Sequence, residues 1–233
     1  GKLDLDQLRE KTSSIGSDLA CIVFPQVNSL GLLEEVDALT QLAKETGAKS
    51  VACIDPLLLA SGGLKPPSQF GEEGADVIAG EAQHLAIRPN FGGPGLGLFG
   101  VRYNENNQRD VRSTPGRFVG KAMDVNGREC LVMVLSTREQ HIRKERATSN
   151  VCSNQAFLAS LAGVATLTKG NKGMATALAT AREACKEVLP KLLVRKGVSL
   201  AFPETPFFNE IVLKLSKPIE EVLEQAACDD LHP

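Results

Sequence analysis

Three apolar runs of strand length, each closed by a turn signal, constrain this chain more than any other feature. Leu19-Ala-Cys-Ile-Val-Phe24 stops at Pro25. Ser50-Val-Ala-Cys-Ile-Asp55 ends on a carboxylate before Pro56. Ala75-Asp-Val-Ile-Ala79 runs into the polar patch Glu81-Ala-Gln83-His84 and then the turn Gly92-Gly-Pro-Gly95. Between the first two runs, Leu33, Val36, Leu39 and Leu42 recur at helical spacing over Gly31–Thr46, with Gly47 as the stop. Strand, helix, strand with continuous apolar strands predicts a parallel sheet covered on both faces. Leu96–Tyr103 adds a further strand. Ligands of such sheets gather at the carboxyl ends of the strands, so Asp55 and Glu81–His84 are expected to face one crevice.

The rest of the chain follows a different rhythm. Residues 3–12 read as a short helix and 104–116 as a polar connector. Arg117–Asp124 and Glu129–Leu135 flank Asn126-Gly127, a hairpin signal. The charged stretch 136–150 leads into Ala/Leu-rich helices over about 151–168 and 172–189, the second stopped by Pro190. Two strands, Val198–Phe202 and Phe208–Leu215, precede an amphipathic helix over Pro218–Ala227. The expected fold is therefore α/β up to residue 145, followed by a small α+β unit over residues 146–233.

Composition excludes several classes of function. A net charge of -2 leaves no electrostatic footprint for nucleic acid or an anionic membrane. No apolar run approaches a membrane span, and the first residues lack the apolar core of a signal peptide. The six cysteines stand singly with no CxxC pair, so no zinc site is expected. They read as reduced, buried thiols of a cytoplasmic protein.

The individual polar residues keep two readings each. Asp55 either caps the turn at Pro56 or binds a ligand. Gln83 and His84 are structural hydrogen-bonding groups or parts of a site. Gly92–Gly95 is a tight turn with positive φ or a phosphate cradle, though without the Lys-Ser/Thr ending of a P-loop. Arg138, Glu139, His141, Arg143, Lys144, Glu145 and Arg146 form a self-paired surface, including an i,i+4 pair from Glu139 to Arg143, or a subunit contact. Within it, His141 is a hydrogen-bonder or a general base. Thr148-Ser-Asn150 reads as a helix N-cap. Cys152 in the following turn is an inert thiol or one activated by the helix N-terminus.

The segment TREQHIRKERATSNVCSNQA, residues 137–156, closely resembles one that marks the glycine dehydrogenase (decarboxylating) subunit 1 family, the α subunit of the split glycine cleavage system P-protein. So does GLKPPSQFGEEGADVIAGEAQHLAIRPNFGGPGLGLFG, as does STPGRFVG. The resemblance covers nearly the whole chain but only the carboxyl-terminal half of the family's subunit. It implies a partial aspartate-aminotransferase-like large domain of the pyridoxal-phosphate fold over residues 1–145. A small domain then follows over 146–233. The family decarboxylates glycine and passes the aminomethyl group to the lipoyl arm of the H-protein. Pyridoxal phosphate and glycine dehydrogenase subunit 2 are the implied cofactor and partner, in a heterotetramer.

In the family's catalytic subunit the lysine loop reads HKTFCIPHGGGGPG. Laid beneath it, AQHLAIRPNFGGPG puts Gln83 on the lysine, His84 on the next Thr, and Asn90 and Phe91 on two glycines. Asp55 falls where the family's pyridine-binding acid sits. Pyridoxal enzymes need a lysine amine to anchor the aldehyde, and an amide cannot replace it. The resemblance thus implies a degenerate cofactor site at Asp55, Gln83 and His84 and no covalent cofactor on this chain. Arg138, His141, Arg143 and Asn150 are expected at the interface with the partner's active site. Two other functions remain open here: a non-catalytic scaffold of the same fold, and a small phosphate-binding domain built on Gly92–Gly95.

Overall fold

The computed structural model describes residues 1–105, 107–114, 118–134, 140–147 and 155–228. Helix α1 (Leu5–Ile15) starts where the Asp4 carboxylate accepts from the amides of Asp6 and Gln7, and ends at Gly16 with φ 62°. Strand β1 (Cys21–Pro25) leads through a loop to helix α2 (Val36–Glu45), strand β2 (Lys49–Ile54) and strand β3 (Val77–Glu81). A one-turn helix α3 (Gln83–Ala86) and strand β4 (Gly97–Val101) complete the first unit. Its sheet has the order β1-β2-β3-β4.

The first three strands are parallel, as their apolar runs predict. The fourth is not: β4 runs antiparallel to β3, from Val77 opposite Val101 to Glu81 opposite Gly97. The chain reverses through residues 82–96 without a crossover long enough to restore direction. The expected cover on both faces is also corrected. Ile22, Phe24, Ala52 and Ile54 are buried against Leu39, Leu42 and Ala43 of α2, with Phe70 closing the core. The Phe24 and Phe70 rings meet at 6.5 Å. Each fully buried Leu or Phe stabilises the fold by about 1.5–3 kcal/mol. The opposite face carries Val23 and Phe99 at 58% and 50% exposure. Alternation, not uniform burial, governs β1 and β2.

Helix α2 begins five residues later than its periodicity suggests. Oδ1 of Asn28 accepts from the amides of Leu30 and Leu32, which holds residues 28–32 in a turn. Leu32 and Leu33 then pair with the far end of the chain: Leu32 bridges to Phe207, and the Leu33 amide donates to the Pro206 carbonyl at 3.0 Å.

Helix α4 (Gln108–Ser113) and the hairpin of β5 (Phe118–Met123) and β6 (Glu129–Val134) follow. The hairpin reading holds, and the turn at Gly127 has φ 73°. One face exposes Val119, Met123 and Leu131 beside the Lys121–Glu129 ion pair. Helix α5 (Gln140–Arg143) precedes the long α6 (Gln155–Leu193), which breaks at Gly170 with φ 59° and ψ -176°. That conformation is open almost only to glycine, so the two-helix reading is correct. Pro190 does not end the second helix, which runs on to Leu193. Proline removes one donor, and the Val194 amide still reaches the Pro190 carbonyl at 3.3 Å. Strands β7 (Val198–Leu200) and β8 (Leu213–Leu215) are shorter than predicted, because residues 206–208 bind the loop at Gly31–Leu33 instead of continuing the ladder. Helix α7 (Ile219–Cys228) ends the described chain.

The thiols are not buried. Cys21 and Cys228 are exposed, and Cys53, Cys130 and Cys185 are half-buried; Cys152 lies outside the described residues. Among the described residues no helix is long and apolar enough to cross a membrane, and no three His, Cys, Asp or Glu side chains gather as a metal site.

Gly31 and Gly62 separate two causes of strain. Both have positive φ, 75° and 83°. A Cβ on Gly31 would sit 2.4 Å from the Glu210 carbonyl oxygen, whereas Gly62 faces open space. Gly62→Ala is expected to lower the unfolding free energy by about 1 kcal/mol. Gly31→Ala is expected to cost more, about 2–4 kcal/mol, since backbone must also move. Urea unfolding of both variants measures the difference.

Candidate functional site

The parallel register of β2 and β3 sets Ile54 opposite Gly80. The residue after each strand position is therefore a carboxylate, Asp55 on one side and Glu81 on the other, at the same end of the sheet. A cleft of about 320 Å³ opens there. Gln26, Cys53, Asp55, Glu81 and His84 line it with the apolar strand ends, and among the described residues no lysine does.

Asp55 caps the turn, the first of its two readings. Its Oδ1 accepts from the Leu57 amide at 2.8 Å, which caps the turn that Pro56 begins. The same oxygen lies 2.9 Å from Nε2 of His84, an ion pair whenever the imidazole is protonated. Both side chains are about 40% exposed, at 43% and 39%, so solvent screens the pair. Strand-end geometry thus brings Asp55 and His84 together as expected. Gln83 turns elsewhere: its Nε2 donates to the Arg88 carbonyl at 3.3 Å.

Glu81, a residue singled out only as part of the patch, is the most tightly held carboxylate of the site. Its Oε1 accepts from the amides of Gln83 at 2.7 Å and Leu96 at 2.9 Å. The Leu96 amide above all, with those of Gln83 and Ala82 and the nearby His84, holds its pKa below the ordinary 4.5. The signal for this was present in the sequence as a carboxylate two residues before a turn, a pattern for backbone capture.

The glycine turn behaves as a turn. The Gly93 amide donates to the Asn90 carbonyl at 3.1 Å, and Nδ2 of Asn90 donates to the Pro94 carbonyl at 3.0 Å. Phe91 has φ 49° and is fully exposed at its tip. The amides of Gly93 and Leu96 are spent on Asn90 and Glu81, which leaves the phosphate-cradle reading without those two donors.

His141 and Arg143 sit in the exposed α5 and line neither this cleft nor its neighbour beside α3. Arg138, Glu139 and Asn150 lie outside the described residues.

A family model described as glycine cleavage system P-protein matches residues 2–232. The chain belongs to that family. It is 37% identical over 227 residues to a probable glycine dehydrogenase (decarboxylating) subunit 1 of Legionella pneumophila (strain Corby), covering 97% of this chain and 47% of that protein. A relative of the same name from Methylococcus capsulatus is 40% identical over 208 residues, covering 89% of this chain and 44% of its own length. The chain therefore spans about half the length of these relatives. The crystal structure of a glycine decarboxylase (P-protein) of the glycine cleavage system, in inhibitor-bound form, superposes with a TM-score of 0.80 at 34% identity, over 93% of this chain and 47% of that one. A NifS-like protein of Rickettsia africae, at TM-score 0.64 and 13% identity, shares the fold alone over the whole chain and 54% of its own. The chain thus has the expected aspartate-aminotransferase-like fold of pyridoxal-phosphate proteins.

Glu81 makes the site of this P-protein chain pH-sensitive in one direction. A carboxylate with a lowered folded pKa stabilises above its unfolded value and loses that contribution as pH falls through the folded one. The wild type is expected to exceed Glu81→Gln in stability by a constant margin above pH 4.5, the ordinary value for Glu. Below that the margin shrinks. Urea midpoints across neutral to acid pH check the sign.

Proposed function

We propose that this chain is part of subunit 1 of a two-subunit glycine cleavage P-protein, and that it supports the catalytic subunit rather than carrying the chemistry. The observation that supports the reading is Gln83 at the position of the lysine in the related catalytic loop, beside a cleft at Asp55 and His84 that no lysine lines among the described residues. The relatives' names supply the reaction and the word subunit, which implies another. In this reading subunit 2 holds pyridoxal phosphate. The complex releases the carboxylate of glycine as CO2 and passes the aminomethyl group to the lipoyl arm of the H-protein, in the cytoplasm and as a heterotetramer.

The residues present do not fit a covalently held pyridoxal phosphate. Gln83 offers an amide already bonded to the Arg88 carbonyl. Asp55, the acid for a ring nitrogen, is engaged by Leu57 and His84. What this chain contributes is shape: a rigid strand-end scaffold over residues 1–145 and a small domain over 146–233. Its basic segment Arg138, His141, Arg143 and Asn150 forms the contact with the partner's active-site mouth. The exposure of His141 and Arg143 supports that contact, and Arg side chains suit carboxylate and phosphate there.

Two measurements test the reading. Full-length subunit 1 mixed with subunit 2 and H-protein is expected to exchange glycine carboxyl with CO2, while residues 1–233 alone do not. Borohydride reduction of the complex with pyridoxal phosphate, followed by mass mapping, is expected to label a lysine of subunit 2 only. Turnover by this chain alone, or a pyridoxyl label on it, overturns the proposal.

A further inference from the structure

A second hollow lies on the other side of His84. It opens between α3, the loop that follows it, and the first half of α6, and measures about 640 Å³. That is the size of a small-molecule site. Leu85, Ile87 and Ala165 give it an apolar lining, and Arg88 and Lys169 give it two cations. Both cationic side chains are exposed, and neither forms an ion pair among the described residues. This sets them apart from Lys44, Lys49, Lys65, Lys121, Lys186 and Lys191, all of which face a carboxylate.

The hollow also contains one carboxylate, Glu81. Its Oε1 is committed to the Gln83 and Leu96 amides. Two cations against this one carboxylate leave the lining a net positive charge around an apolar floor. Lys169 is the last residue before the break at Gly170, whose backbone (φ 59°, ψ -176°) glycine adopts without steric cost. Ala165, one turn earlier on the same helix, lines the same hollow with only a methyl group.

We infer that this hollow binds a small anion with an apolar body, its carboxylate or phosphate head held between Arg88 and Lys169. Arginine supplies a planar fork for two oxygens and lysine a mobile point charge. Leu85, Ile87 and Ala165 take the body. The site uses only residues of this chain and goes beyond the supporting role proposed above. Its success or failure does not depend on glycine turnover.

The test is calorimetric titration of the 233-residue chain with phenyl phosphate, hexanoate and inorganic phosphate. Phenyl phosphate or hexanoate is expected to bind with a dissociation constant at or below about 1 mM. The tighter of the two identifies the head group as phosphate or carboxylate. Inorganic phosphate is expected to bind more weakly than phenyl phosphate, since it brings no apolar body. Arg88→Gln and Lys169→Gln are each expected to weaken binding about tenfold. Lys186→Gln, an exposed cation elsewhere on α6, is expected to leave it unchanged. Thermal melting of each variant reports that the fold is intact, as exposed positions predict. Absence of binding by both organic anions, or affinity indifferent to both Arg88→Gln and Lys169→Gln, overturns the inference.

Discussion

The close approach of β3 to β2 at Gly80 is the constraint on which the site depends. A Cβ at that position would lie 2.1 Å from the Ile54 carbonyl oxygen. No side chain fits there, so any other residue would push the strands apart at the end where Asp55 and Glu81 emerge. With glycine the parallel register stays closed to the last pair. Two carboxylates then stand next to each other on adjacent strand ends, a like-charge arrangement that needs donors. Leu57 and His84 serve Asp55; Gln83 and Leu96 serve Glu81. The two acids are thus held on different donors, and neither is buried.

The same division of donors explains why the segment after β3 looks like a ligand site in sequence. A glycine-rich turn behind a short polar patch is the composition of an anion cradle. In this chain the anion is internal. The Glu81 side chain folds back onto amides of the turn's two ends, and Asn90 ties the turn across itself at Pro94. A polar group near a sheet end has to be satisfied by something, and the Glu81 carboxylate is met by the chain's own backbone.

Local signals were legible wherever one chemical cause decided them. Strand limits at Pro25 and Pro56, the hairpin at Asn126-Gly127 and the break near Gly170 each follow from a residue that permits or forbids one backbone conformation. Direction and cover were not legible. Leu96–Tyr103 reads as a strand in either orientation, since pairing direction is fixed by the path of the connecting chain. The apolar runs of β1 and β2 suggested two covered faces, yet only the face toward α2 is filled. The thiols erred for the same reason: Cys21 and Cys53 belong to apolar runs but fall on the open side of the alternation. For the site, strand ends predicted that Asp55 and His84 share a crevice, but not the 2.9 Å contact. Arg88 and Lys169 come from segments with no shared pattern, and only the packing of α3 against α6 sets them around one hollow.

That packing is in turn fixed far from the cleft. Beyond Gly170 the second half of α6 presents Leu178 and Arg182, one turn apart and therefore on one face. Leu178 is buried, and its side chain sits so near Gly63 that a Cβ there would lie 2.7 Å away. The Arg182 guanidinium lies over the rings of Phe207 and Phe208, at 4.9 and 5.6 Å from their centres, a cation–π arrangement. Phe207 and Phe208 are themselves pinned to Leu32 and Gly31 on the loop after β1. A helix held at two successive turns against one surface has little freedom to slide or rotate. The kink at Gly170 converts that fixed axis into a fixed direction for the first half of α6. Lys169 and Ala165, which stand on the hollow, inherit their positions from an aromatic clamp that touches neither of them.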